Sequence, residues 1–183
     1  TKGVEFLFKK NKVNYIKGKG SILSKNEISV YDNGKKTNYK TKNIVIATGS
    51  EVVSLPGIKI DEKNIISSTG ALSLNKVPKR LAVIGGGYIG LEMGSVWSRL
   101  GSEVTVVEYL DYITPGMDRE ISTEFKKILI KQGIKFKLGS KVNSIKETSN
   151  KVLINYTDIK NSKDEILEVD KVLVSVGRKP YTE

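Results

Sequence analysis

The chain has 183 residues, a formal net charge of +11, and neither cysteine nor histidine. These counts exclude a disulfide, a redox thiol, a thiolate metal site and an imidazole base among these residues. No apolar run reaches the roughly 18 residues that a membrane-spanning helix needs, so we predict no membrane segment.

Residues 1–43 have the pattern of a helix end followed by antiparallel strands. Short apolar segments alternate with polar turns, and Asp32-Asn33-Gly34 is a strong hairpin signal. The next run, residues 43–50, is almost entirely apolar before it ends in Thr-Gly-Ser, which is typical of a buried parallel strand. No strand–helix–strand partner precedes this run, so we expect it to complete a sheet whose other strands are absent here.

Residues 51–63 predict a linker, with Pro56-Gly57 as its turn. The hydroxyl groups of Ser67, Ser68 and Thr69 then predict the N-cap of a short helix.

The centre of the sequence is residues 81–108, where an apolar run, a glycine turn, a helical pattern and a second apolar run follow one another. The turn has the G-x-G-x-x-G pattern, and the second run ends at Glu108. An acid is expected about 20 residues beyond the first glycine of a dinucleotide-binding strand–helix–strand unit. The apolar residues at helical spacing are Ile89, Met93, Val96, Trp97 and Leu100. Gly101 is placed to end this helix in the left-handed conformation.

Each glycine of the turn has its own expected role. Gly85 allows a sharp turn off the strand, Gly87 lets the backbone approach a diphosphate, and Gly90 lets the helix lie close to the strand. The helix N-terminus offers unpaired N–H groups and a partial positive charge to the ligand. A glycine-rich turn without a ligand is the less favoured alternative, because strand, helix and acid all agree with dinucleotide binding.

The ligand is predicted to be NAD rather than NADP. The Glu108 carboxylate can accept hydrogen bonds from ribose hydroxyls and would repel a 2′-phosphate. The following residues, Tyr109-Leu110-Asp111-Tyr112, supply no Arg or Lys to bind such a phosphate.

Residues 109–183 complete the predicted domain with a helix, a third strand, a small antiparallel meander and a closing strand. The helical stripe of Ile121, Phe125, Ile128 and Leu129 is assigned to the core. The predicted strands cover residues 134–138, 142–145, 152–156, 166–169 and 171–177.

A weak internal repeat relates residues 43–49 to residues 171–177, since both are apolar runs that end in glycine. Ligands bind beyond the carboxyl ends of strands in open parallel sheets, so these glycines predict close approach of a nucleotide. Glycines that only terminate strands are the alternative.

The positive charge also raises the possibility of a non-enzymatic module that binds nucleic acid. The lysines are scattered through turns and polar strand faces, and no basic recognition helix or aromatic-interleaved patch is present. We therefore expect no nucleic-acid partner.

Almost the whole chain resembles the middle of the dihydrolipoamide dehydrogenases, members of the flavin-dependent pyridine nucleotide-disulfide oxidoreductase family. The segments that carry the resemblance are NIVIATGSEV, SSTGALSL, GGGYIGLEMGSVWSRLGSEVTVVE, KQGIKFKL and VGRKP. Two of them, SSTGALSL and GSVWSRLG, favour this enzyme over another NAD-linked disulfide reductase or an NADH oxidase. The first G-x-G-x-x-G of these enzymes, their cysteine pair and their His–Glu base have no counterpart here, so we expect an internal part of a longer protein.

The resemblance implies an α/β fold: a Rossmann-like NAD-binding domain with a parallel sheet and a β-meander at residues 60–183, preceded by the incomplete, β-rich end of an FAD-binding domain at residues 1–59. It implies FAD contacts at Gly20, Ala47, Thr48 and Gly49. It implies an NAD site formed by Gly85, Gly86, Gly87, Tyr88, Ile89, Gly90, Glu92, Glu108, Val142 and Gly177, with Glu92 in the first turn of the helix.

The parent enzyme would oxidise dihydrolipoamide at a disulfide, pass electrons through FAD and reduce NAD⁺. The resemblance further implies a homodimer within 2-oxo acid dehydrogenase complexes. The expected compartment is the cytoplasm, or the mitochondrial matrix if the source is eukaryotic. No catalytic residue is expected in this chain, which alone should be inactive.

Overall fold

A computed structural model of the chain describes residues 2–182, which divide into two compact units. The first unit ends at Thr48 and the second begins at Gly49. The predicted limit between the FAD and NAD parts, after residue 59, refers to the longer parent and stays a prediction.

The first unit has the predicted helix and antiparallel strands. Its elements are α1 (Lys2–Lys10), β1 (Lys19–Ser24), β2 (Glu27–Asp32) and β3 (Lys35–Lys40). The three strands form one antiparallel sheet in the order β1-β2-β3. Asn33 and Gly34, with φ +46° and +83°, make the turn between β2 and β3, as their sequence predicts.

The apolar run at residues 43–49 is not the buried strand that was expected. The segment has no regular secondary structure, and the Val45 side chain is 87% exposed. A parallel strand is stabilised by neighbouring strands and by helices on both faces, and no described strand pairs with this run. The pattern therefore indicates a segment suited to burial, but in its counterpart at residues 171–177 only residues 172–174, within β12, are buried.

The second unit is built on a five-stranded parallel sheet. The elements of the unit are β4 (Ser50–Val52), β5 (Ile65–Ile66), α2 (Ser68–Ala71), β6 (Arg80–Ile84), α3 (Tyr88–Arg99), β7 (Glu103–Val107), α4 (Arg119–Lys131), β8 (Lys135–Lys137), β9 (Ser140–Glu147), β10 (Val152–Asp158), β11 (Lys163–Val169), β12 (Lys171–Val174) and β13 (Arg178–Pro180). The parallel sheet has the order β5-β12-β6-β7-β8, while β9, β10 and β11 form an antiparallel meander. This is the mixed α/β architecture that the sequence predicts.

Both faces of the parallel sheet are covered, which explains its continuous apolar strands. Along β6, Leu81 and Val83 belong to a core cluster with Leu91 and Trp97 of α3, whereas Ala82 belongs to a second cluster with residues of the meander. The helices thus pack on one face and the meander packs on the other.

Three local predictions need correction. The segment predicted as a linker begins with β4, which pairs antiparallel with β13, and its Ile58 is buried in the second core cluster. Along α4 only Leu129 of the predicted core stripe is fully buried, whereas Ile121 and Ile128 are about half exposed, because a helix on a sheet buries one narrow face. Along α3 the buried residues are Gly90, Leu91, Gly94 and Trp97, so Val96 and Leu100 of the predicted stripe face outward.

Candidate functional site

The turn between β6 and α3 requires glycine at two positions. Gly85 has φ +105°, and its N–H donates to the carbonyl of Val107 at 2.9 Å. A Cβ atom on Gly90 would lie 2.4 Å from the carbonyl oxygen of Gly85 and 2.5 Å from Oγ of Ser175. Helix α3 therefore lies against the turn at a distance that only glycine permits.

Gly87, in contrast, faces open space. It is the N-cap residue of α3, with φ −76° and no side-chain cap, and a Cβ atom added to it would meet nothing within 4 Å. The N-terminus of α3 thus presents bare backbone, the arrangement in which N–H groups and the helix dipole bind a phosphate. This open cradle fits the diphosphate of a dinucleotide.

The Glu108 side chain lies at the mouth of the same turn. Its Oε2 accepts a hydrogen bond from the N–H of Gly86 at 2.5 Å, and Oε1 accepts one from the N–H of Leu110 at 2.8 Å. The residue is 9% exposed. An ionised carboxylate has about four acceptor positions, so two remain for a ligand diol.

These groups border one cavity of about 930 Å³ at the carboxyl edge of the parallel sheet. Ile84, Val107 and Val174, which end three adjacent strands, form its floor, and β9 and the segment after β7 contribute walls. The carboxyl edge is where open α/β sheets bind ligands, and the volume is within the range of small-molecule and cofactor sites.

The structure gathers most of the predicted NAD residues at this cavity. The lining residues among them are Gly85, Gly87, Tyr88, Ile89, Glu108, Val142 and Gly177. Gly86 and Gly90 are buried in the turn itself. Glu92 is exposed on α3, beyond the first turn in which the sequence placed it, and it does not line the cavity.

The predicted FAD residues are not gathered in the same way. Gly20 is an exposed residue of β1, and Ala47 and Thr48 lie in the exposed segment that precedes the second unit. None of these three, nor Gly49, lines the large cavity. The FAD contacts that the resemblance implies therefore stay a prediction.

Several cavity residues were missed from the sequence. Val52, Leu55 and Pro56 lie in the segment predicted as a linker, where a dense apolar pattern was the available signal. Thr114 and Ser175 carry no motif that would have singled them out. Lys141 and Asn143 line the cavity together with Val142 because a bulge in β9 breaks the two-residue alternation of the strand.

Arg119 contacts the segment that follows Glu108. Its guanidinium group stacks 3.7 Å from the ring centroid of Tyr112 and forms an ion pair with Asp111 at 3.3 Å. Arg119 does not line the large cavity, so its charge is directed to Asp111.

The shifted pKa values belong to contacts outside the cavity. Burial and the hydrogen bond to Glu165 raise the pKa of Tyr156, and the same hydrogen bond together with Lys137 lowers the pKa of Glu165. At Asp61, burial is outweighed by backbone N–H donors from Lys63, Ile65 and Asn64, which lower the pKa of the carboxyl group.

Residues 2–182 contain neither a candidate metal site nor a candidate membrane-spanning helix. No group of three or more Asp and Glu side chains could hold a metal ion. None of the helices is long and apolar enough to cross a membrane.

The comparisons with known proteins define the class. Residues 1–183 match the family described as pyridine nucleotide-disulphide oxidoreductase, and the chain belongs to this family. Curated relatives carry a more specific name. A dihydrolipoamide dehydrogenase of Chaetomium thermophilum is 61% identical over 184 residues, and dihydrolipoyl dehydrogenase 1, mitochondrial, of Arabidopsis thaliana is 57% identical over 183. The chain is fully covered in both comparisons but spans only 36% of each relative.

Solved structures agree with this class. The HOCl-induced flavoprotein disulfide reductase RclA from Escherichia coli is 31% identical, with a TM-score of 0.78 over 98% of this chain and 41% of its own. LpdA from Mycobacterium tuberculosis matches with a TM-score of 0.80 at 23% identity, over 90% of this chain and 36% of its own, and supports the fold.

Proposed function

We propose that the cavity at the carboxyl edge of the parallel sheet binds NAD. The observation that carries this proposal is the Glu108 carboxylate beside the open backbone of Gly87, joined through the N–H of Gly86. A ribose diol can donate to the carboxylate while the adjoining diphosphate accepts from the N-terminus of α3.

The other lining residues receive roles along the dinucleotide. Val142 contacts the adenine, Gly177 lies near the nicotinamide end, and Tyr88 borders the nicotinamide pocket. Glu92 does not line the cavity, so its role near the nicotinamide stays a prediction of the resemblance, and a carboxylate that only stabilises the helix N-terminus is the alternative. NAD, when bound, supplies the hydride acceptor, and this chain holds and orients it.

NAD is proposed in preference to NADP because the carboxylate of Glu108 would lie next to a 2′-phosphate. Repulsion between the two anions at a buried position disfavours the phosphorylated ligand. Arg119, the first cation that follows Glu108 in the sequence, is paired with Asp111.

For the parent protein we propose the activity for which its relatives are named. Dihydrolipoamide would be oxidised at a redox disulfide, and electrons would pass through FAD to NAD⁺, in a homodimer that serves 2-oxo acid dehydrogenase complexes. This chain has no Cys or His, so we propose that it contributes the binding of the last acceptor and is inactive alone. Relatives named mitochondrial, from Arabidopsis thaliana and Pisum sativum, support the mitochondrial matrix for a eukaryotic source over the cytoplasm.

A different acceptor is the second candidate. Proteins of Vigna unguiculata and Glycine max named leghemoglobin reductase are 56% and 54% identical to this chain. The NAD site would then serve the same nucleotide, while the other substrate would be bound outside these residues.

The test is a calorimetric titration of the full chain with NAD and, separately, with NADP at fixed salt. We expect saturable binding of NAD and at least about tenfold weaker binding of NADP. Binding of duplex DNA that falls steeply with salt, together with no heat from NAD, would refute the proposal in favour of a basic binding module.

A further inference from the structure

The segment after β7 holds both backbone polar groups of one residue in the glycine turn, Gly86. The N–H of Gly86 donates to Oε2 of Glu108 at 2.5 Å, and the carbonyl of Gly86 accepts from the N–H of Thr114 at 2.8 Å. One short stretch of chain, residues 108–114, therefore contacts the glycine turn from two sides.

Thr114 makes its contact in an unfavourable conformation. Its φ is +50°, in the left-handed region that β-branched residues rarely adopt, and the following Pro115 further restricts its backbone. The residue is 5% exposed, and its hydroxyl is buried with no hydrogen-bond partner among residues 2–182. A strained backbone with an unpaired buried hydroxyl persists only where neighbouring contacts enforce it, and such strain is characteristic of functional sites.

The surroundings do enforce it. Ile113 is fully buried in the core cluster below α3, and its carbonyl accepts a hydrogen bond from Oγ of Ser122 on α4 at 2.6 Å. Thr114 is thus held between a core side chain and the glycine turn, so its N–H points at the Gly86 carbonyl.

This contact determines how the next amide points. All peptide bonds described are trans, so the carbonyl of Gly86 and the N–H of Gly87 point in opposite directions. A peptide between two glycines rotates easily unless a partner fixes it. With the carbonyl tied to Thr114, the N–H of Gly87 is directed away from that segment.

We propose that Thr114 is a positioning residue: its backbone N–H fixes the Gly86–Gly87 peptide in the orientation that receives the diphosphate. The inference rests on the proposed function, since it assigns a contact that orients the glycine turn for the diphosphate of NAD. The left-handed strain at Thr114 is the energetic cost of that preorganisation.

The experiment compares Thr114→Pro, which lacks the N–H and cannot adopt φ +50°, so that the contact with Gly86 is lost, with Thr114→Gly, which keeps the N–H and accepts this φ. Each full-length variant is titrated with NAD, ADP and adenosine, the last having no phosphate. For Thr114→Pro we expect about tenfold weaker binding of NAD and ADP, equal to about 1.4 kcal/mol, and adenosine binding within about twofold of the original. For Thr114→Gly we expect all three affinities within about threefold, and a higher melting temperature.

Three results would overturn the assignment of Thr114. These are unchanged NAD binding by Thr114→Pro, an equal loss for adenosine, or an equal loss in Thr114→Gly, which would place the effect in the side chain. Failure of the unaltered chain to bind NAD would instead refute the proposed function.

A second measurement needs no variant and covers the case in which Thr114→Pro does not fold. Amide hydrogen exchange of the unaltered chain, followed by NMR, should show slow exchange at Thr114, and slower exchange at Gly87 once NAD is added. Exchange at Thr114 as fast as in an unfolded peptide would show that the contact with Gly86 does not form, and would overturn the proposal.

Discussion

Replacement of Glu108 by Gln tests the proposed site most directly. The carboxylate already accepts two backbone hydrogen bonds, from Gly86 at 2.5 Å and Leu110 at 2.8 Å. With about four acceptor positions on the group, two remain for ribose hydroxyls. Hydrogen bonds to a charged group contribute about 1.5–3 kcal/mol, so Glu108→Gln should weaken NAD binding roughly 10- to 150-fold.

Both variants also disturb the turn: Gln keeps one acceptor oxygen and sets its NH2 group against the other backbone N–H, whereas Glu108→Ala removes the carboxylate altogether. Its loss leaves the N–H groups of Gly86 and Leu110 without their acceptor, and an unsatisfied buried donor costs about 1–3 kcal/mol of folding free energy. Glu108→Ala should therefore weaken binding by a similar 1.5–3 kcal/mol and lower the midpoint of urea unfolding as well.

Isothermal titration calorimetry at fixed salt measures the affinity, and circular dichroism confirms that each variant is folded. Glu103→Gln is the matched control, because Glu103 begins the same strand at its opposite, exposed end and pairs with Lys135. An unchanged NAD affinity in folded Glu108→Gln would refute the role of this residue. An equal loss in Glu103→Gln would show that the effect is not local.

Three further outcomes are expected. Gly87→Ala should change the free energy of unfolding by about 1 kcal/mol or less but abolish measurable NAD binding. Gly90→Ala, whose Cβ would meet backbone at 2.4 Å, should instead lower the free energy of unfolding by about 1–3 kcal/mol. Urea unfolding measures the stability of each variant, and calorimetry measures its NAD binding. Tyr156→Phe should lower the free energy of unfolding, and the difference from the unaltered chain should shrink at alkaline pH. The pKa of Tyr156 is raised in the folded state, so its contribution to stability is full below about pH 10 and is lost as the pH rises through the folded-state pKa. Unfolding curves of both proteins from about pH 8 to 12 would test this. The purified chain should show no flavin absorbance, because the first G-x-G-x-x-G of the family, where the FAD phosphates are expected to bind, has no counterpart in this sequence; a yellow protein would contradict this expectation.

The unit of strand, glycine turn, helix and strand was predictable because its determinants are local. The turn from Gly85 to Gly90 needs glycine for backbone reasons that act within a few residues, and the strand that carries Glu108 follows by one short helix. The meander was predictable for the same reason, since alternation along each strand favours antiparallel neighbours.

Burial was less predictable, and the two similar apolar runs show why. Residues 43–49 and 171–177 have the same pattern, yet the first is exposed and the second forms β12 between β5 and β6. A parallel strand is stabilised by neighbours that are distant in sequence, so its own residues cannot show whether those neighbours are present. The prediction of a linker at residues 51–63 was wrong for the opposite outcome: the segment is paired rather than free. It begins with β4, whose partner β13 lies more than a hundred residues further along the chain.

The amino-acid order alone determined the fold class, the glycine turn and the acid that accompanies it, because each depends on backbone conformation and short-range spacing. Only the tertiary structure decided that Thr114 holds the carbonyl of Gly86, that a bulge in β9 brings Lys141 and Asn143 to the cavity, and that Glu92 does not reach it. These are contacts between segments that the folding of the sheet brings together, and no pattern within either segment specifies them.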